Sequence, residues 1–195
     1  MRIRALIISA LAATALLSAA SSASAATLFT TTGHTARVTV GATAVGTGTN
    51  VDLTSGSSVI NHCAHSALNL TLSQNNDTAV IGNVTGGTFN GCANPVTPTF
   101  PSVWSLVIRG NGTAQAGENT CWTASVTAVE FDLLGGKYTG NLLTGVTACQ
   151  PTTTGSPLTL KLASAGFVSG PLTGNGRIDG SYVFTGAAAA YSLTN

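Results

Sequence analysis

The stretch Val59-Ile60-Asn61-His62-Cys63-Ala64-His65 places an imidazole on either side of a thiol. By ligand type, His62, Cys63 and His65 suit zinc, and a histidine beside a cysteine can activate the thiol as a nucleophile. Both chemistries require the three side chains to converge. On an extended strand, positions 62 and 63 point to opposite faces while 63 and 65 share one, so convergence would take a bulge. No second ligand pair at metal spacing follows, and the expectation is polar residues flanking the start of a disulfide-bonded strand.

A second constellation is Glu130 and Asp132, two apart in an alternating segment and therefore on one strand face. Paired carboxylates are what glycoside hydrolysis uses. They lack a dense aromatic sugar platform, however, and a solvated face is the simpler reading of two acids so placed. The His62-Cys63 pair also resembles the surroundings of the catalytic histidine in chymotrypsin-like proteases, but no Gly-Asp-Ser-Gly-Gly segment supplies a nucleophile. No Gly-x-Ser-x-Gly elbow occurs after residue 25 either. The glycine-rich run 170 to 180 precedes no helix whose N-terminus could hold a phosphate, and it reads as hairpin turns around Asn175-Gly176.

The elements that must position these residues are strands. Period-two alternation dominates, as in Leu68, Leu70 and Leu72 with Asn69 and Thr71 between them. Gln74 to Asp77 supply turn residues, and the alternation resumes after them, which makes a hairpin. A second hairpin follows Cys121, turns at Gly135-Gly136 and returns to Cys149. Both have cysteine ends, a central turn and a Gly-Asn-apolar step, at Gly82 and at Gly140, and so read as quasi-equivalent units. Pro95, Pro98 and Pro101 between them mark a connection or an edge strand. Trp122, next to Cys121, is expected to pack on its disulfide. The fold expected is all-β: one antiparallel sandwich or barrel of about nine to eleven short strands, the pattern not choosing between them.

The N-terminus reads as a secretory signal peptide over residues 1 to 25: Arg2 and Arg4, an apolar run from Ala5 to Leu17, then Ala23-Ser24-Ala25. That run is shorter than the about 20 residues of a membrane span, and no later segment qualifies as a transmembrane helix. Residues 26 to 195 then form one exported domain. Four cysteines in an oxidising compartment imply two disulfides. Three pairings are possible, and near-equal spacing with the hairpin reading favours Cys63–Cys92 and Cys121–Cys149, each contributing roughly 3 kcal/mol. Charged residues make up only 7% of the chain and form no basic cluster, which leaves no nucleic-acid footprint.

The Ala-rich leader, the Thr/Gly-rich lead-in, "TGGTFNGC", "FPSVWSL" and the closing "DGSYVFTG" together resemble small secreted actinobacterial β proteins. The layout is similar to that of activator-of-alkane-oxidation proteins, except that Ser102 and Val103 intervene where that pattern has proline directly before tryptophan. The resemblance implies a secreted, disulfide-bearing β domain and transfers no catalytic residue. The function expected is non-enzymatic binding, without a cofactor, to an envelope component, a glycan or a hydrophobic ligand. A hydrolase built on Glu130 and Asp132 and a pore-forming barrel are the alternatives.

Overall fold

The computed structural model describes residues 26–30, 35–100, 102–115, 119–151, 156–167 and 176–195. Within them lie β1 (Thr27–Phe29), β2 (Thr43–Ser55), β3 (Ser58–Asn75), β4 (Val80–Cys92), β5 (Val96–Thr99) and β6 (Trp104–Gln115). The chain continues with β7 (Asn119–Leu133), β8 (Gly136–Pro151), β9 (Thr159–Phe167), β10 (Gly176–Thr185), a single 3-10 turn at Gly186–Ala190 and β11 (Ser192–Thr194). The large sheet runs β5-β7-β6-β4-β3-β2-β10-β9-β8, and β8 also pairs with β7. Eight strands, from β7 round to β8, therefore close on themselves in nearly sequential order with every pairing antiparallel. The expected choice between sandwich and barrel falls to an up-and-down barrel, which leaves no unpaired end except through β5.

Alternation puts the apolar set inside. Leu70 and Leu72 of β3, Leu106 and Ile108 of β6, Trp122, Ala124 and Val126 of β7, and Leu160 and Leu162 of β9 are all buried, while their neighbours face solvent. Where strands bend to close the ring, the phase of alternation slips. Ala128 (φ 58°) and Gly145 (φ 77°) sit at such slips, between Val126 and Val129 and between Leu143 and Val146.

The turns follow their residues. Gly56 (φ 60°) opens the two-residue β2–β3 loop, as a type II′ turn requires. The first hairpin turns later than the sequence pattern suggests, at residues 76–79, where Asn76 Oδ1 accepts the backbone N–H groups of Thr78 and Ala79 at 3.0 and 3.2 Å. Asn75 belongs to the strand. Its amide bridges to Leu28 N, Leu28 O and Val38 O at 2.8–2.9 Å and so fastens the β1–β11 pair beneath the barrel. The turn at Asn175-Gly176 lies outside the described residues except for Gly176, which opens β10.

Both disulfides link directly opposed residues of adjacent strands, Cys63 with Cys92 and Cys121 with Cys149. Cys63 is near the start of β3 and Cys121 near the start of β7, and three antiparallel steps, through β4 and β6, make β3 and β7 run in opposite senses. The β2–β3 and β7–β8 turns share one end of the barrel, so Cys63–Cys92 lies towards that end and Cys121–Cys149 towards the other. The proline-rich segment forms β5, an edge strand held on one side by β7, with Pro98 level with Phe131.

Candidate functional site

The structure separates the residues of the histidine-flanked thiol. Cys63 is fully buried inside the barrel and bonded to Cys92, whereas His62 and His65 both stand exposed on the outer wall. The expectation that 63 and 65 share a face is therefore corrected. Level with Ala64 on the neighbouring strands are Asn50 (φ 53°) and Gly91 (φ 61°), both left-handed, and this local twist shifts the inward series from Asn61 and Cys63 to Ser66. His62 Nδ1 lies 2.6 Å from Asp52 Oδ1 on β2, so its partner is a carboxylate across the strand pair. Among the described residues no three metal-ligating side chains converge.

Glu130 and Asp132 do share the outer face of β7, but Glu130 is already engaged. Its Oε1 accepts Lys137 Nζ and Thr99 Oγ1, each at 2.7 Å. The hydrogen bond from Lys137, helped by that from Thr99, holds the Glu130 carboxyl below its ordinary pKa, and the same bond raises the Lys137 ammonium. A glycosidase's general acid needs its pKa raised. The cluster instead ties β5, β7 and β8 together at one mouth of the barrel.

The lumen is a packed core. Two apolar voids are stacked along it with Leu70, Leu106 and Phe184 as shared walls, and each offers only about 40 Å³. An engineered core cavity that takes up benzene needs about 150 Å³, so neither void holds an organic ligand as it stands. The buried set inside the ring is apolar and the strand positions between face outward, the reverse of the apolar-outside pattern of a transmembrane barrel. Two hydroxyls are enclosed there, Ser66 Oγ and Tyr182 Oη, neither with a well-formed hydrogen bond. Gly48 makes room for them: a Cβ at that position would lie 2.6 Å from Ser66 Oγ and 2.9 Å from the Tyr182 ring.

The larger concavity is on the outer wall, where a groove of about 410 Å³ runs beside Cys121–Cys149. That volume falls in the range of small-molecule sites, about 300–1,000 Å³. Strand register builds it: Thr123, Thr147 and Lys161 are successive partners across β7, β8 and β9, with Arg109 of β6 continuing that row beyond the lining, and Thr113, Cys121 and Cys149 form the next row across β6, β7 and β8. Gln115 and Asn119 add amides at the β6–β7 end. Trp122 contributes to the floor because β6 bulges at Gly110-Asn111-Gly112, and a Cβ at Gly112 would come within 2.6 Å of its indole. The indole N–H is taken by Asn195. Sequence reasoning missed this groove. Its only trace was outward-phase threonine in "WTASVT" and "TGVTAC", ordinary for any solvated strand.

No family model, curated protein or solved structure matches the chain. The fold and groove define a class all the same: a closed antiparallel β-barrel with an apolar filling, two cross-strand disulfides and a hydroxyl- and amide-lined outer groove.

Proposed function

We propose that the protein is exported, loses residues 1 to 25, and acts outside the membrane by binding a polar ligand, a glycan of the envelope or medium, on its outer wall without catalysing a reaction. The observation that carries this reading is the contrast in volume between the outer groove, about 410 Å³, and the lumenal voids, about 40 Å³ each. A hydroxyl-rich face suits sugar hydroxyls, which both donate and accept hydrogen bonds. Two disulfides support an oxidising compartment, and no helix among the described residues is long and apolar enough to cross a membrane. The resemblance to small secreted β proteins supports the same placement. With export goes a mature chain starting at Ala26, one residue before β1.

The test has two parts. Mass spectrometry of the protein from culture medium reads its first residue, and a chain that retains residues 1 to 25 overturns the export reading. Sedimentation with insoluble wall polysaccharide, set against lipid vesicles, reads the ligand class: the protein is expected to co-sediment with polysaccharide, and partition into vesicles alone overturns the glycan reading.

A further inference from the structure

Charge is scarce on this molecule, which makes its placement around the groove informative. Of the described cations, Arg37 pairs with Asp77 and Lys137 with Glu130. Arg109 and Lys161 are both exposed, and no carboxylate among the described residues pairs with either. Register puts them at the two ends of one row, with Thr123 and Thr147 between them. Three strand-to-strand steps of about 4.8 Å separate their backbones by roughly 14 Å. The described strand carboxylates, Asp52, Glu130, Asp132 and Asp179, belong to the other end of the barrel, with the β2–β3 and β7–β8 turns. The groove therefore has Lys161 in its lining, and Arg109 continues the same row beyond the lining as the partner of Thr123, in a protein whose formal net charge is only +1 over the full sequence.

We infer that the groove binds an acidic saccharide: a sugar chain bearing carboxylate or phosphate groups that lie on Arg109 and Lys161 while its hydroxyls meet Thr123, Thr147, Gln115 and Asn119. The inference rests on the binding function proposed above and narrows its ligand. The guanidinium of Arg109 can take an oxyanion through two parallel N–H donors, and Lys161 supplies a point charge. Among the described residues, neither cation has to leave an internal ion pair to do so. Gly112 keeps the floor open on the β6 side, and Asn195, which accepts both Gly112 N at 2.7 Å and Trp122 Nε1 at 3.0 Å, fixes it.

Titration calorimetry on the secreted protein with three oligosaccharide probes of equal length tests this: an oligogalacturonate, a sugar-phosphate oligomer and a neutral cello-oligosaccharide. The acidic probes are expected to bind at least about tenfold more tightly than the neutral one, an advantage that salt erodes through screening. The tighter of the two acidic probes distinguishes carboxylate from phosphate. Arg109→Ala and Lys161→Ala should each weaken acidic binding by about tenfold, the size of one charged hydrogen bond, and weaken neutral binding by less. Both positions are exposed, so circular dichroism and melting temperature should match the wild type. Equal binding of neutral and acidic probes, or acidic binding that neither variant weakens, overturns this inference and leaves the glycan-binding reading standing. If the folded protein binds none of the three, both fall.

Discussion

Asn195 and Trp122, 73 positions apart in the chain, meet where the barrel wall bulges: the Asn195 side-chain oxygen accepts the Trp122 indole N–H at 3.0 Å and the Gly112 backbone N–H at 2.7 Å. Trp122 is 3% exposed, so its N–H has little access to water as an alternative partner. One carboxamide thus joins the segment after β11 to two strands of the ring and holds the floor of the groove.

Replacing Asn195 by Ala should cost about 1–2 kcal/mol, because a buried donor left without a partner loses more than the net value of one hydrogen bond. Asn195→Asp keeps an acceptor oxygen and should lose less. Urea denaturation monitored by tryptophan fluorescence measures both, and equal losses in the two variants would show that the contact acts through packing alone.

Each disulfide closes a loop of similar length, with sequence separations of 29 and 28. Chain entropy gives about 3–4 kcal/mol for loops of this size. Cys121→Ser with Cys149→Ser should destabilise by that amount and also loosen the groove wall, whereas the Cys63 and Cys92 pair should destabilise without affecting saccharide binding. Calorimetric unfolding and binding on the two double variants separate the effects. A Cys63/Cys92 variant that binds as poorly as the Cys121/Cys149 variant would place the ligand elsewhere.

Much of the architecture was legible in the sequence, because period-two alternation is a direct consequence of the pleat. It marked β3, β4, β7, β8, β9 and β10, and the prolines marked β5 as an edge. Cysteine spacing gave both pairings because each pair spans one hairpin and ends directly opposed. Closure was not legible, since β10 meets β2 across more than a hundred residues and alternation carries no information about which strands become neighbours. The phase slip at Ala64 was hidden for another reason. It depends on left-handed residues in the adjacent strands, Asn50 and Gly91, and not on the segment itself. Asn75 likewise reads as a turn residue by type, although it is the bolt for Leu28 and Val38.

Leu134 stands in the two-residue β7–β8 loop at φ 53°, followed by Gly135 at φ 74°, and is 66% exposed. Positive φ at both central residues is the type I′ pattern, which favours Asn or Gly at this position and disfavours leucine. Leu134→Asn should stabilise the protein by about 0.5–1 kcal/mol, and Leu134→Val, β-branched, should destabilise it. Urea midpoints decide the matter. A destabilised Asn variant would mean that the leucine side chain makes a compensating contact.

Burial pushes the pKa of the Tyr182 hydroxyl up to about 12, with Ser66 beside it acting in the opposite direction. Between pH 10, where an unfolded tyrosine ionises, and 12, where this one does, the unfolded chain binds fewer protons than the folded one, so stability falls as pH rises. Tyr182→Phe removes that slope and a poorly satisfied buried hydroxyl together. It should unfold at higher pH and gain about 1 kcal/mol at pH 7. Some alkaline slope will remain, since burial raises Tyr138 as well. Loss of stability at pH 7 would instead show that Tyr182 and Ser66 share a hydrogen bond worth keeping.

At the acid end the sign reverses. Glu130 has its folded pKa held below the ordinary 4.5, chiefly by its hydrogen bond from Lys137, so its contribution is present above pH 4.5 and is lost as pH falls through the lower folded value. Lys137, raised above 10.5 by the same bond, contributes fully below that pH and loses its contribution as pH climbs through its folded value. Glu130→Gln should therefore be less stable than wild type near neutrality, and the two stability curves should approach each other as pH drops below 4. The pair is partly exposed, and raised salt should narrow the gap at neutral pH. A gap that persists unchanged into acid would assign the loss to the Thr99 contact, through which Glu130 holds the edge strand β5 against β7.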